Sequence, residues 1–152
     1  MSDFIIERMT RADVSQVESI EQSIFSIPWS EKSFIDACET PENVYIVCRH
    51  DDRVAGYCGL WTVLGEGNIT NMAVAQEYRR QGIAELLMKN MEKIASDNND
   101  VDVFFLEVRQ SNTPAISLYE KMGYKAIGTR KRFYEKPVED AIVMSKMLIQ
   151  GD

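Results

Sequence analysis

The chain of 152 residues, 45% of them hydrophobic, is long enough for one domain with a buried core and leaves little room for a second. Its 27% charged and 9% aromatic residues are typical of a soluble globular protein and exclude a disordered or fibrous one. The net charge of −7 and the lack of a long apolar run predict a protein that neither binds nucleic acid nor crosses a membrane.

Apolar periodicity predicts five elements in the first half of the chain: a strand over 4–9, a helix after Thr10 that reaches Phe25, a short helix from Ser30 to about Thr40, and strands over 44–49 and 54–63. Asp13 occupies the capping-box position of the first helix. Trp29 and Phe34 flank the Ser30 cap and are placed to form a hydrophobic staple. Turn residues over 50–53 join the two strands into a predicted hairpin.

Six further elements are predicted in the second half: a strand over about 68–74, a helix over 83–96, a strand over 101–108, a helix between Thr113 and Gly123, and strands over about 124–130 and 141–148. Thr113 and Pro114 suit the cap and the first helical position, and Gly123 suits the helix end. The order β-α-α-β-β-β-α-β-α-β-β predicts an α/β fold with a mixed central β-sheet flanked by helices, in a single domain over 1–152.

Three cysteines, Cys38, Cys48 and Cys58, and one histidine, His50, raise the question of a metal or nucleophile site. Their ten-residue spacing matches no zinc pattern. We interpret them as reduced, buried thiols and a surface histidine, and we expect no metal. Because Asp3 lies where a secretory signal would need positive charge, we expect a cytoplasmic protein, in which disulfides rarely persist.

A glycine-containing loop, 79–84, leads from the strand over 68–74 into the next helix. Such a loop exposes unpaired backbone N–H groups, and the helix dipole and two arginines add positive potential. The loop could therefore bind a phosphate or pyrophosphate, although arginine-rich helix starts are also common without a ligand. It is neither a P-loop nor a dinucleotide fingerprint.

Glu107 lies in an apolar strand, on the face that also carries Val103 and Phe105. A carboxylate there is costly unless it is solvated in a cleft, is hydrogen-bonded, or pairs with a cation such as Arg109. A cleft position would suit a general base, whereas a strand end that reaches solvent would need no functional explanation.

Tyr119 falls on the apolar stripe of its predicted helix, where core packing is the ordinary role. Asn112, near the start of the same helix, is by default a turn or capping residue. In their joint order and spacing, however, four segments resemble the GNAT acetyltransferases, most closely those that acetylate ribosomal-protein alanine: Asn71–Val74, Arg79–Ala84, Leu106–Arg109 with Asn112, and Ala115–Tyr124. The resemblance is strongest over 68–130 and continues at 28–31 and 139–141.

The resemblance implies a single GNAT (acyl-CoA N-acyltransferase) domain with a role for each segment. The implied acetyl-CoA contacts are Met72, Ala73, Val74, Arg79, Arg80, Gln81, Gly82, Ile83, Ala84, Glu85 and Asn112. Glu107 matches the family's proton acceptor, and Tyr119 matches its proton donor to the leaving thiolate. Trp29 and Tyr134 are candidates for lining the entrance for a peptide, and both could also be core aromatics.

The implied reaction is direct attack of an amine on acetyl-CoA. The expected acceptor is the N-terminal α-amine of a protein, with a ribosomal protein that begins with alanine as the leading candidate. The negative net charge suits a basic protein N-terminus. Two alternatives remain: a GNAT enzyme that acts on a lysine side chain or a small-molecule amine, and a non-catalytic acyl-CoA-binding domain. Ala84 and Phe133 stand where many relatives carry glycine and tyrosine.

Overall fold

A computed structural model describes residues 3–148 and contains the eleven predicted elements in the predicted order. The seven strands are β1 (Phe4–Arg8), β2 (Val44–His50), β3 (Arg53–Val63), β4 (Glu66–Val74), β5 (Val103–Arg109), β6 (Lys125–Tyr134) and β7 (Glu139–Met147). The four α-helices are α1 (Val14–Ile24), α2 (Glu31–Cys38), α3 (Ile83–Asn99) and α4 (Thr113–Lys121). The predicted α/β class is confirmed.

The strands form one mixed sheet in the order β1-β2-β3-β4-β5-β7-β6. Its one parallel pair within the described chain is β4–β5, which α3 connects as a crossover helix. These two strands pair only at Glu66–Asn68 against Val103–Phe105. Beyond those residues they separate, and the sheet opens at its centre.

A β-bulge in β4 accompanies this separation. Gly59 of β3 lies opposite Asn71 and Leu60 lies opposite Ile69, so Thr70 is an extra residue that bends β4. The Tyr45 hydroxyl lies 2.5 Å from the Thr70 hydroxyl and holds the bulge from β2. The Tyr45 ring crosses β3 at Gly59, where an added Cβ would lie 2.0 Å from a ring carbon. Glycine is therefore needed at this crossing.

Helices cover both faces of the sheet. The Tyr57 hydroxyl donates a 2.7 Å hydrogen bond to Glu21 of α1, and the Tyr57 ring packs edge-on against Phe34 of α2. The neighbouring Cys58 has its thiol 3.7 Å from the Leu87 carbonyl of α3. Because successive strand side chains point to opposite faces, α1 and α2 lie on one side of the sheet and α3 on the other.

The cysteines are free thiols, with Cys48 and Cys58 buried and Cys38 partly buried. The predicted surface position of His50 is wrong. This residue ends β2 instead of starting the turn, so its ring packs between Phe4 and Tyr78, with Nδ1 3.0 Å from the Tyr78 hydroxyl. Among residues 3–148, no cluster of potential ligands is suited to a metal ion.

Two predicted boundaries also change. Asn112, not Thr113, caps α4, because its side-chain oxygen accepts a hydrogen bond from the Ala115 amide at 3.3 Å. Strand β6 continues to Tyr134, past the predicted end at 130. It does so across a two-residue insertion, since Arg130 lies opposite Ala141 and Tyr134 lies opposite Glu139. The insertion breaks the alternation by which a strand is predicted.

Candidate active site

A cleft of about 690 Å³ opens where β4 and β5 separate. Six predicted site residues from five parts of the fold line it: Met72 of β4, Glu107 of β5, Asn112 and Tyr119 of α4 and its cap, Trp29 before α2, and Tyr134 of β6. The fold therefore brings together both predicted proton-transfer residues and both predicted entrance residues. Ala73, Val74 and the loop residues 79–85 lie outside the lining of this cleft.

The edge of β4 at the opening offers backbone hydrogen-bonding groups. The Ala75 amide donates a 2.8 Å hydrogen bond to the Ala55 carbonyl of β3. Because such bonds alternate along an antiparallel pair, Ala73 also turns its amide towards β3, whereas Met72 and Val74 turn theirs away. On that side β5 has already separated from β4, so these amides face the gap. Their position suits hydrogen bonds to the amide groups of a pantetheine arm.

The loop before α3 has the backbone conformation of an anion site. Arg80 and Gly82 both have positive φ, 65° and 77°, and no side chain caps the 17-residue helix that follows. The amides of Ile83, Ala84 and Glu85 have no protein partner within the described chain, and the Leu86 amide is the first that bonds back, to the Gly82 carbonyl. Arg79 to Gly82 are exposed, and a Cβ on Gly82 would point into open space. The arrangement fits a pyrophosphate. Glu85 pairs with Lys121 of α4 at 3.3 Å.

We expect Gly82→Ala to raise the KM for acetyl-CoA about 5- to 30-fold. The left-handed conformation costs a residue with a Cβ about 1–2 kcal/mol, so the loop would relax away from the shape that presents its amides. Steady-state kinetics with varied acetyl-CoA measures the effect. Gly128→Ala is the matched control, because Gly128 also faces open space but has no positive φ. An unchanged KM in Gly82→Ala would contradict an anion-binding role for the loop.

Glu107 is accessible from the cleft. It lies on the half-buried face of β5 as predicted, with its side chain 30% exposed. Its partner is Arg130 of β6, with Nε 3.5 Å from Oε2, and not the neighbouring Arg109. Because Arg130 is itself 60% exposed, this ion pair is weak and leaves the carboxylate available to an incoming amine.

Tyr119 is buried on α4, and its ring lies 6.0 Å from that of Tyr124. Burial raises the pKa of Tyr119 to about 12, so its hydroxyl holds its proton at neutral pH. Within the described chain this hydroxyl has no hydrogen-bond partner, unlike that of Tyr124, which donates to Glu92 at 2.7 Å. Tyr119 therefore presents a protonated phenol to the cleft.

The two entrance candidates, Trp29 and Tyr134, are half-buried aromatics that both line the cleft. Trp29 packs on Phe34, with ring centroids 5.3 Å apart, which confirms the predicted staple. The Tyr134 ring stacks on the Arg109 guanidinium at 4.5 Å. Burial, with a further contribution from the charge of Glu107, raises the pKa of Tyr134 to about 12. Both residues thus pack within the fold and line the cleft.

Glu21 and Arg109 are charged residues of the cleft that are not among the predicted site residues. Glu21 is buried and accepts hydrogen bonds from the Tyr57 hydroxyl at 2.7 Å and the Trp29 amide at 3.0 Å. The sequence feature that could have indicated Glu21 is a carboxylate within the apolar stripe of α1. Arg109 follows Glu107 on the same face of β5 and contacts the segment between β6 and β7. No pattern in the sequence indicated those partners.

Comparison with known proteins agrees with this geometry. A Bacillus subtilis protein named as a candidate ribosomal protein bS18-alanine N-acetyltransferase is 39% identical over 140 residues, 91% of this chain and 92% of its own. The ribosomal protein bS18-alanine N-acetyltransferase of Salmonella typhimurium is 32% identical over 143 residues, 92% of this chain and 95% of that enzyme.

A solved structure shares the whole fold. The crystal structure of the ribosomal-protein-S18-alanine N-acetyltransferase from Escherichia coli matches with a TM-score of 0.89 and 29% identity, covering 99% of this chain and 97% of that one. Within residues 3–148, none of the helices is long and apolar enough to cross a membrane.

Residues 14–124 match the acetyltransferase (GNAT) family. The chain is an N-acetyltransferase and belongs to the GNAT family.

Proposed function

We propose that this enzyme transfers the acetyl group of acetyl-CoA to the N-terminal α-amine of a protein, and that a ribosomal protein beginning with alanine is its substrate. The observation that carries the proposal is that Glu107 and Tyr119 line the same cleft, which opens where β4 separates from β5. Support for the acceptor comes from the relatives that are 32% and 39% identical over almost their whole length.

The donor half of the site fits acetyl-CoA, which supplies an acetyl group already activated as a thioester. The loop from Arg79 to Ala84 and the first turn of α3 would hold the pyrophosphate. The backbone of Met72 and Val74 would hold the pantetheine arm along β4, with Ala73 between them fixed to β3. Asn112, whose side chain caps α4, would contact the coenzyme from the other side of the gap.

Proton transfer is assigned to two side chains. Glu107, partly exposed in the cleft, accepts the proton that the ammonium form of the acceptor must lose before attack. A protein α-amine has an ordinary pKa of about 7.7–8.0, so a substantial part of it needs this help at neutral pH. Tyr119 donates from its hydroxyl, which faces the cleft, towards the sulfur that leaves. The ring of Tyr119 is buried, and this burial raises the pKa of its hydroxyl to about 12.

The acceptor half lies between the loop 24–29 and the segment 133–139, both of which line the cleft. The charged residues that line the whole cleft are four carboxylates and two cations: Glu21, Glu107, Glu135, Glu139, Arg109 and Lys136. This excess of negative charge favours a positively charged peptide end over an acidic one.

A peptide series tests the proposal. The peptides would be identical except for the first residue, with alanine, serine, glycine, valine or proline at a free N-terminus. We expect the alanine peptide to have the highest kcat/KM, with the acetyl group located on its α-amine by fragmentation mass spectrometry. Equal rates for all first residues would contradict the alanine preference, and no α-acetylation of any peptide would contradict the proposal itself.

A further inference from the structure

Arg109 connects β5 to the segment between β6 and β7. One of its terminal nitrogens donates to the Glu135 carbonyl at 2.9 Å, and the other donates to the Pro137 carbonyl at 3.0 Å and to the Glu139 carboxylate at 3.2 Å. The guanidinium also lies 4.5 Å from the centre of the Tyr134 ring. One side chain therefore contacts four residues between 134 and 139.

Glu139 extends this connection to the start of α4. Its second carboxylate oxygen accepts a hydrogen bond from the Ser111 amide, which lies beside Asn112. Hydrogen bonds from Ser111 and Arg109 hold the pKa of Glu139 below its ordinary value, so the carboxylate stays charged. The segment 134–139 is thus fixed to the strand that carries Glu107 and to the cap of the helix that carries Tyr119.

These contacts lie on one wall of the cleft. Tyr134, Glu135, Pro137 and Glu139 all line the cleft, as does Trp29. The wall is the turn of the β6–β7 hairpin, closed by the pairing of Tyr134 with Glu139, and β6 is an edge strand whose residues are exposed up to Phe133. Arg109 supplies the hydrogen bonds that hold this turn to β5.

We propose that Arg109 is a positioning residue that fixes the acceptor-side wall of the cleft, residues 134–139, and thereby sets the affinity for the acceptor. The inference rests on the proposed function in taking this half of the cleft as the acceptor site. Arg109 acts through the wall and has no part in the proton transfers assigned to Glu107 and Tyr119.

Lysine cannot replace arginine in this arrangement. The planar guanidinium presents donors in fixed directions and stacks on an aromatic ring at the same time, whereas an ammonium is a single point charge. A lysine ammonium at this position could donate to one or two of the three acceptors. It would lose the stacking interaction with the Tyr134 ring.

The test compares Arg109→Lys with Arg49→Lys. Arg49 is a matched control, because it is 24% exposed against 26% for Arg109, is hydrogen-bonded to Asp13 and Glu7, and lies outside the cleft. We expect Arg109→Lys to raise the KM for an alanine peptide at least about 10-fold, the loss typical of broken charged hydrogen bonds. The kcat and the KM for acetyl-CoA would stay within about twofold, and Arg49→Lys would change none of the three.

Amide hydrogen exchange supplies a readout that does not depend on turnover. We expect exchange over 134–139 to accelerate in Arg109→Lys but not in Arg49→Lys. Unchanged acceptor KM, or a joint loss in kcat and both KM values, would overturn the proposal, as would unchanged exchange. If the wild type acetylated no α-amine, the proposed function would fail separately, and the KM comparison would use the amine that it does acetylate.

Discussion

Replacing Tyr119 with phenylalanine is expected to lower kcat by about 10²- to 10⁴-fold, the usual contribution of a positioned acid, and to leave the KM for acetyl-CoA nearly unchanged. The substitution removes only a hydroxyl that has no partner within the described chain, so the surrounding packing should survive. Single-turnover and steady-state rates of CoA release, with the acceptor saturating, measure the loss.

The matched control is Tyr124→Phe. Tyr124 is a neighbouring buried tyrosine outside the cleft, whose hydroxyl donates to Glu92. Its substitution should lower thermal stability and leave kcat nearly unchanged. A Tyr119→Phe enzyme with wild-type kcat would contradict the assignment of Tyr119 as the donor.

Burial also defines the pH dependence of the Tyr119 step. Because the pKa of Tyr119 is raised to about 12, the group remains protonated beyond the ordinary tyrosine pKa of about 10. The wild-type rate should therefore not fall through ionisation of this group below about pH 10. The same raised pKa makes Tyr119 a weaker acid than a free tyrosine. We therefore expect the hydrogen bond from the Tyr119 hydroxyl to the leaving sulfur to contribute to the rate together with proton transfer.

Replacing Glu107 with glutamine is expected to lower kcat/KM for the acceptor by at least about 10-fold at neutral pH, where only about a tenth of an α-amine with a pKa of about 7.7–8.0 is deprotonated without help. The side chain keeps its size and loses its ability to accept a proton. The loss should shrink as the pH rises through about 8, because the amine then loses its proton without help. A pH profile of kcat/KM for wild type and variant, from about pH 6.5 to 9.5, measures the change.

Glu120→Gln provides the control for Glu107→Gln. Glu120 is exposed on α4 and lies outside the cleft, so the same chemical change there should leave the whole profile unaltered. A loss in Glu107→Gln that stayed constant across the pH range would indicate that Glu107 positions the acceptor instead of accepting its proton.

Local patterns made much of the fold predictable. The alternation through Val103, Phe105 and Glu107 identified the half-buried face of β5, and glycine before a helical stripe identified the start of α3. The placement of Glu107 and Tyr119 in one cleft needed more than periodicity. It depended on matching four segments to a family, since β5 and α4 alone do not reveal where β4 separates from β5.

Long-range and backbone contacts set the limit of sequence reasoning. Arg109 bonds to carbonyl groups 26 and 28 residues away, and backbone carbonyls leave no trace in side-chain chemistry. The sequence left open whether Glu107 pairs with Arg109 or another cation, and the structure pairs it with Arg130 of β6. At the start of α4, adjacent Asn112 and Thr113 are both good caps, and only the hydrogen bond to Ala115 decides between them.

Release of CoA from acetyl-CoA with two basic peptides tests the central claim most directly. One peptide has a free N-terminal alanine and no lysine, and the other has a blocked N-terminus and one internal lysine in an otherwise identical sequence. Turnover with the free peptide alone is the predicted result and would establish acetylation of a protein α-amine. Turnover with the blocked peptide alone would contradict the claim and assign the activity to lysine side chains, and turnover with neither would contradict it in favour of a small-molecule acceptor or a domain that only binds acyl-CoA.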